Sequence, residues 1–288
     1  MIHIAIIAGG PSAERGVSLK SAQTVAKHLP SEKYNVTTID ITPEGWKDID
    51  TGAIVDLNRF CLPASNGQPL KSFDFAFIII HGTPAEDGKL QGYLDMMGIP
   101  HSACNVLTSA LTFNKQVCKD HLKQYNIPMA ESMIVTNITS SEEVQQHSIT
   151  LPLFVKPNNN GSSYGVTKVK AWDQLETAIR HALEYDHEVM IERALAGKEF
   201  SVVLFEKDPH IMSFPLQRSF PRENSLILQQ SMKDKVRRSL LQDLIRRSLR
   251  NVRKDPEGFT SFSAVAEWSG LIISLKVRPS IYSRPIQH

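Results

Sequence analysis

Cysteine is scarce in this 288-residue chain: Cys61, Cys104 and Cys118 are odd in number and far apart. That spacing excludes a disulfide framework and a clustered zinc site, so all three are expected to be free thiols. Long apolar runs are missing as well. The segment IHIAIIAGG is too short to span a membrane, has no basic leader and runs straight into a glycine turn, so it reads as a first strand rather than a signal peptide. The expected location is the cytosol, with no membrane partner. No G-x-G-x-x-G fingerprint stands at the first turn, where the sequence reads GGPSAE, which argues against a dinucleotide-binding oxidoreductase. Internal repeats and low-complexity stretches are also lacking. What remains, 41% hydrophobic and 22% charged residues, is the composition of an ordinary globular protein long enough for two or three domains.

The net charge of +2 conceals an asymmetry. Residues 1–215 hold 18 Lys and Arg against 24 Asp and Glu, whereas residues 216–288 hold 14 against 6. A basic tail commonly points to nucleic acid or a membrane surface. Within it, Leu240, Leu241, Leu244, Ile245 and Leu249 share one helical face, so periodicity alone allows an amphipathic helix over 232–252.

Upstream, the punctuation is clear. An apolar strand over 2–8 meets Gly9-Gly10, and Val17, Leu19, Ala22, Val25 and Ala26 give helical spacing over 16–29. The run FAFIIIHG at 75–82 reads as a parallel strand buried on both faces. Helical patterns follow at 88–97 and 106–124, the second closed by Pro128. After Pro152 come strand LFVKP, polar loop NNNGSS, strand YGVTKVK, helix WDQLETAIRHALEY and strand EVMIERAL, a short α+β unit.

Three segments carry residues suited to chemistry. AGGPSAERGVSLKSA places Glu14 where a loop opens a helix; backbone amides there attract anions, and a loop carboxylate can hold an ammonium group. Many α/β proteins begin this way without such a role. HGTPAEDGKLQGYLDMMGIPHSA puts His81, Glu86 and Asp87 at the C-terminal end of a strand, where open α/β sheets bind ligands, although a solvated loop would tolerate them equally. FVKPNNNGSSYGV is the most informative. A lysine on a strand, followed by a small hydroxyl-rich loop and a second strand, suits a lid over nucleotide phosphates, with Lys156 and the loop amides offsetting their charge. It is not the Walker arrangement, in which lysine opens a helix; a plain hairpin with an exposed lysine is the alternative, less favoured because the loop has no two-residue hairpin signature. Farther on, EVMIERALAGKEFSV supplies Glu192 and Glu199, carboxylates that suit an adenine amine and ribose hydroxyls or merely face water.

Taken together and in this order, these segments resemble the D-alanine–D-alanine ligase family of ATP-grasp enzymes. The family motifs read GG-x-S-x-E-x-x-V-S-L, HG-x-x-GEDG-x-x-QG, VKP-x-x-x-GSS-x-GV and E-x-x-x-G-x-E-F, and the match covers about residues 1–212. The resemblance implies an α/β protein with a doubly wound N-terminal domain over 1–104, an ATP-grasp α+β lid over 105–187 and a C-terminal ATP-grasp domain over 188–288. It implies ATP-dependent joining of two D-alanines, for peptidoglycan precursor synthesis, in a homodimer. Residue by residue, Glu14 resembles the group that holds the first D-alanine's ammonium, with Ser18 in the same loop, and His81 the substrate-side histidine. Lys115 and Lys156 resemble the pair on the ATP phosphates, and Ser162 and Ser163 the lid serines over substrate and phosphate. Glu192, Leu195 and Glu199 resemble the adenine and ribose contacts. Two positions depart from the pattern, Ala85 for the first glycine of GEDG and Gly16 in the first motif, and neither removes a presumed catalytic group.

The tail departs far more. The family continues with a tyrosine-bearing loop, an R-x-D strand and an E-x-N-T strand whose carboxylates and asparagine hold Mg²⁺, and residues 213–288 contain none of these. No metal ligand is therefore assigned in this sequence. Back-translation read two bases along restores them, with only one wobble base free per codon. LQRSFPRENSLILQQSMKDKVRRSLLQDL becomes TEIISKREFFDFAAKYEGQSEEITPAGL, and the far end yields LGCRGVVRVDYILEGEALYLLEANT, in which Ile272 and Ile273 fix two successive codon endings. A frameshift between Met212 and Pro215, in the gene or its sequencing, accounts for the tail. Its basic character is then accidental, no nucleic-acid partner is expected, and any helix over 232–252 is unselected. The restored tyrosine loop favours D-alanine over D-lactate as second substrate. The chain as written is expected to be inactive, with a remnant that retains partial nucleotide binding as the alternative.

Overall fold

The computed structural model describes residues 1–64, 70–161 and 164–196 in full, and beyond them only the backbone of the strands Phe200–Ser201, Leu204–Lys207, His210–Ser213 and Gln217–Arg218. Ser162, Ser163, Glu199, the 232–252 helix and the frame-restored motifs lie outside the described residues. Two compact units are present, one built on Met1–Ala110 and one on Leu111–Leu204.

The first unit is an α/β layer structure. Its strands are β1 (Ile2–Gly9), β2 (Tyr34–Thr42), β3 (Gly45–Asp48), the short β4 (Cys61–Leu62) and β5 (Lys71–Ser72), and β6 (Phe75–Ile78); its helices are α1 (Arg15–His28), α2 (Lys89–Met96) and the start of α3 (Val106–Phe113). The main sheet runs β3-β2-β1-β6, with β1 parallel to both β2 and β6 and β3 antiparallel at the edge. Because β1 is central and buried on both faces, its near-continuous isoleucine and alanine run is what the position demands. Ile4, Ile6 and Ala8 pack with Phe75, Phe77, Ile79 and the Ala22 and Val25 side of α1. Ala5 and Ile7 face the other way, into a cluster with Phe60, Phe73, Leu90 and Leu94. Each buried isoleucine, leucine, valine or phenylalanine among them contributes about 1.5–3 kcal/mol relative to exposure.

Two expectations are corrected here. Strand β6 ends at Ile78 rather than continuing to Gly82, although Ile79 and Ile80 remain fully buried and the Ile79 N–H still donates to the Ile7 carbonyl at 2.9 Å. The inner face of α1 is Ser18, Ser21, Ala22 and Val25, while Val17 is 47% exposed. Helix α1 stops at Leu29, whose extended backbone (ψ 124°) is what a following Pro30 imposes.

The second unit is α+β. In chain order it holds α4 (Lys115–Lys123), β7 (Ser132–Val135), α5 (Ser141–Gln146), β8 (Leu153–Pro157), β9 (Thr167–Val169), a 3₁₀ turn at Trp172–Gln174, α6 (Leu175–Leu183) and β10 (Val189–Arg193). The sheet order is β7-β10-β8-β9, antiparallel throughout. Leu175, Ala178, Ile179 and Ala182 repeat at helical spacing and seat α6 on Leu153, Val155, Val169, Val189 and Ile191. Strand alternation therefore turns Phe154, Lys156 and Glu192 to the opposite face. The single helix expected over 106–124 is two helices. Asn114 interrupts it with an extended backbone (φ −82°, ψ 109°), and its side-chain oxygen accepts the Val117 N–H at 2.9 Å, which makes it the N-cap of α4.

Candidate functional site

Glu14 and His81 of the first unit stand on two loops that leave the sheet at the C-terminal ends of β1 and β6. Their mutual approach depends on glycine. Gly10 has φ +87°, and a β-carbon there would sit 2.9 Å from the Ile80 side chain; at Gly82, φ is +78° and the added carbon would meet Ser12 at 3.3 Å. Between these loops lie Glu14 and His81. Glu14 opens α1 without its side chain capping the helix, and is half-buried. Burial pushes the His81 imidazole below its ordinary pKa, and the nearby Glu14 carboxylate opposes that shift. The two predicted residues are thus brought into electrostatic reach of one another, with the histidine biased towards the neutral ring.

Ser18 lies elsewhere than expected, in the first turns of α1 rather than in the loop, and fully buried. Its hydroxyl donates to the Ile79 carbonyl at 2.6 Å and accepts the Gly9 N–H at 2.9 Å. It fastens together the two strand ends from which the loops spring. Gln91, not singled out from sequence, does comparable work on the second loop. Buried in α2, it donates to the Ala85 carbonyl at 2.5 Å and to the Ser109 hydroxyl at 3.1 Å. Ala85 itself is buried in the core, where a methyl group fits. Asp87 accepts from Thr83 at 2.6 Å and from Lys89 at 2.7 Å, so it braces its own turn.

In the second unit the polar face of the sheet carries a charge cluster. Glu192 accepts from Lys156 through Oε2 and from Lys119 through Oε1, both at 2.6 Å. Only 16–20% of each of these three side chains is exposed. Burial works to raise the Glu192 carboxyl pKa, but the charges and hydrogen bonds of Lys156 and Lys119 outweigh it and hold the group below the usual carboxylate range. Lys119 also donates to the Ala130 carbonyl at 2.7 Å. Lys115 is one helical turn away on α4 and donates to the Asn160 carbonyl at 2.6 Å and the Asn158 carbonyl at 3.2 Å, at the root of the NNNGSS loop.

That root is fixed from several sides. Asn158 is 1% exposed; it accepts the Gln116 N–H at 3.0 Å and donates to Asn114 at 3.1 Å and Glu188 at 2.7 Å. Asn159 bonds Asn114 at 2.8 Å and the Asp186 carboxylate through its backbone at 2.6 Å. Sequence reasoning identified Lys115, Lys156 and Glu192 but missed Lys119 and the asparagines. The i, i+4 spacing of Lys115 and Lys119 on one helix is the signal that would have found the former. Leu195 follows β10 and is half-buried. Among the described residues no group of three or more His, Cys, Asp and Glu side chains converges as a metal site, and no helix is long and apolar enough to cross a membrane.

The chain matches two family models, one described as the D-Ala D-Ala ligase N-terminus over residues 3–104 and one as the D-Ala D-Ala ligase C-terminus over residues 121–227. It is 43% identical over 219 residues to a D-alanine–D-alanine ligase of Phocaeicola vulgatus, a stretch that covers 74% of this chain and 66% of that protein. It is 42% identical over 217 residues to the corresponding ligase of Bacteroides fragilis, covering 74% and 67%. The chain thus spans about two thirds of the length of the curated relatives it matches. Among solved structures it resembles D-alanyl-alanine synthetase A from Vibrio cholerae, with TM-score 0.69, 26% identity and coverage of 88% of this chain and 81% of that one. A second likeness is to the VanG D-Ala:D-Ser ligase from Enterococcus faecalis, with TM-score 0.63, 28% identity and coverage of 75% and 69%. With the family's N-terminal and C-terminal domain models matched in order, and with relatives near 40% identity, this chain belongs to the D-alanine–D-alanine ligase family.

Proposed function

We propose that the intact gene product joins two D-alanines at the expense of ATP, through an acyl phosphate, to supply a peptidoglycan precursor in the cytoplasm, and that it does so as a homodimer. The observation that carries the nucleotide part of this reading is the Lys119–Glu192–Lys156 cluster beside Lys115, in which half-buried lysines of α4 and of the sheet's polar face meet next to a small polar loop. In the reaction, a carboxylate oxygen of the first D-alanine attacks the γ-phosphorus, and ADP leaves. The amine of the second D-alanine then attacks the acyl carbon, and inorganic phosphate departs with loss of an ammonium proton to solvent.

Each residue has a role that its setting favours. Glu14 holds the ammonium of the first D-alanine, and His81, kept neutral by burial, hydrogen-bonds on the substrate side without adding charge. Ser18 positions the Glu14 and His81 loops through its two strand-end bonds. Lys115 and Lys156 neutralise nucleotide phosphates, which is where most of the catalytic work of phosphoryl transfer lies. Glu192, Leu195 and Glu199 take adenine and ribose, while Ser162 and Ser163 close over the phosphates. Mg²⁺, when bound, would supply further charge neutralisation; no His, Cys, Asp and Glu cluster suited to it is found among the described residues.

The chain as written is a separate matter. Its matches to curated relatives cover about three quarters of its length, the C-terminal family model ends at residue 227, and about a third of each relative is left without a counterpart. This supports a frameshift between Met212 and Pro215 and a 288-residue product that binds nucleotide without completing the reaction. ADP release dependent on D-alanine, measured for this chain and for one with the frame restored after residue 212, tests both halves of the reading. Release from the restored chain alone is expected. Release from the 288-residue chain would overturn the frameshift reading, and none from either would overturn the ligase reading.

A further inference from the structure

Lys119 lies outside the residues that the family resemblance assigns to the nucleotide, yet it is bonded to Glu192 as tightly as Lys156 is, 2.6 Å in each case. Glu192 spends one carboxylate oxygen on each lysine, and all three side chains are largely withdrawn from water. A buried carboxylate that loses its only counter-charge is costly, so an ion pair of Lys156 with Glu192 alone would resist surrendering Lys156 to anything else. A second lysine changes that balance. When an anionic ligand draws Lys156 away, Glu192 keeps Lys119, whose position is set independently by its hydrogen bond to the Ala130 carbonyl and by α4.

We propose that Lys119 is a positioning residue: by keeping Glu192 neutralised, it releases Lys156 to the phosphate of an incoming nucleotide. The proposal rests on the nucleotide reading given above. In the nucleotide-free chain the Glu192 carboxylate holds the Lys156 ammonium in place of a phosphate oxygen, and ligand entry is an exchange of one oxyanion for another at the same nitrogen. Lys115, at the start of α4, is directed to backbone carbonyls at Asn158 and Asn160 and takes no part in the exchange.

The exchange makes a prediction that a merely structural lysine would not. ADP affinity is measured by titration calorimetry for the full 288-residue chain and for Lys119→Met, Glu192→Gln, the double variant and Lys119→Arg. Lys119→Met is expected to weaken ADP binding roughly tenfold or more, because Lys156 stays with the uncompensated carboxylate. In the Glu192→Gln background, where no carboxylate competes, the same substitution is expected to change affinity by less than about threefold. Lys119→Arg, which keeps the charge, restores most of the loss. Equal weakening in both backgrounds, or none in the parent, would overturn the exchange while leaving the nucleotide reading intact. Failure of the unaltered chain to bind ADP would overturn that reading, and the exchange with it.

Discussion

Ser18 and His81 show how differently two residues of one motif set are used. The Ser18 hydroxyl is spent on the Gly9 N–H and the Ile79 carbonyl. Removing it leaves both groups buried without a partner. Ser18→Ala is therefore expected to cost about 1–3 kcal/mol of stability in the first unit, read as a lowered thermal midpoint, and a variant as stable as the parent would contradict the bracing role. His81 and His3 titrate with the opposite emphasis. Burial lowers both pKa values, with the Lys71 charge assisting at His3. In such a group the unfolded chain takes up a proton before the folded one does. The stability it contributes is complete above the ordinary histidine pKa of about 6.5 and is lost as pH falls through the lowered folded value. Denaturation curves between pH 7 and 5, taken on the parent and on His3→Gln, should show a smaller acid loss in the variant; parallel losses would remove His3 from the account. The glycine turns were legible because their backbone freedom is unusual, and Glu14, His81, Lys156 and Glu192 stood out as polar groups at strand ends and loops, whereas Lys115 was named only through the family motif. Ser18 was legible as a motif member but not as a brace, since a hydroxyl's partners are set by tertiary contact.

At the scale of elements, apolar patterning gave β1, α1, β8, α6 and β10 to within about three residues, because β1 is apolar on both buried faces and each of the others turns a buried stripe to a core. The misreadings have a common cause. Asn114 sits in an apolar, helix-like run, yet its side chain is more useful as a cap on α4 and as a partner to Asn158 and Asn159 than as part of a continuous helix. Likewise β9 is only Thr167–Val169, since Gly165 has φ +73° and ends the extended run before it. The cap carries its own test. Asn114→Ala is expected to cost about 1 kcal/mol, within the usual 0.5–2 range for a lost cap, and to speed amide hydrogen exchange at residues 115–118 while leaving α6 unchanged. Exchange that rises equally in α6 would mean that Asn114 supports the whole unit and not the root of the loop.

For the whole molecule, the asymmetry between an acidic body and a basic tail is the feature that composition displays first and explains least. In another chain, 14 Lys and Arg against 6 Asp and Glu would suggest a polyanionic partner. On the proposed frameshift reading the tail's composition is an accident of the reading frame. Arg246, Arg247 and Arg250 should accordingly have no bearing on ligand binding. Their joint replacement by Gln is expected to leave ADP affinity unchanged by calorimetry, and a loss would tie the tail to binding.

The self-occupied lysine of the second unit has a bearing on inhibitor chemistry. A compound shaped like a nucleoside but lacking any acid group meets a closed Lys156–Glu192 pair and has nothing with which to open it. One that carries a carboxylate or phosphonate in reach of Lys156 competes with the protein's own side chain on equal terms. Potency in such a series would be governed less by the charge of the added group than by how well one of its oxygens replaces the Oε2 of Glu192 at the Lys156 ammonium.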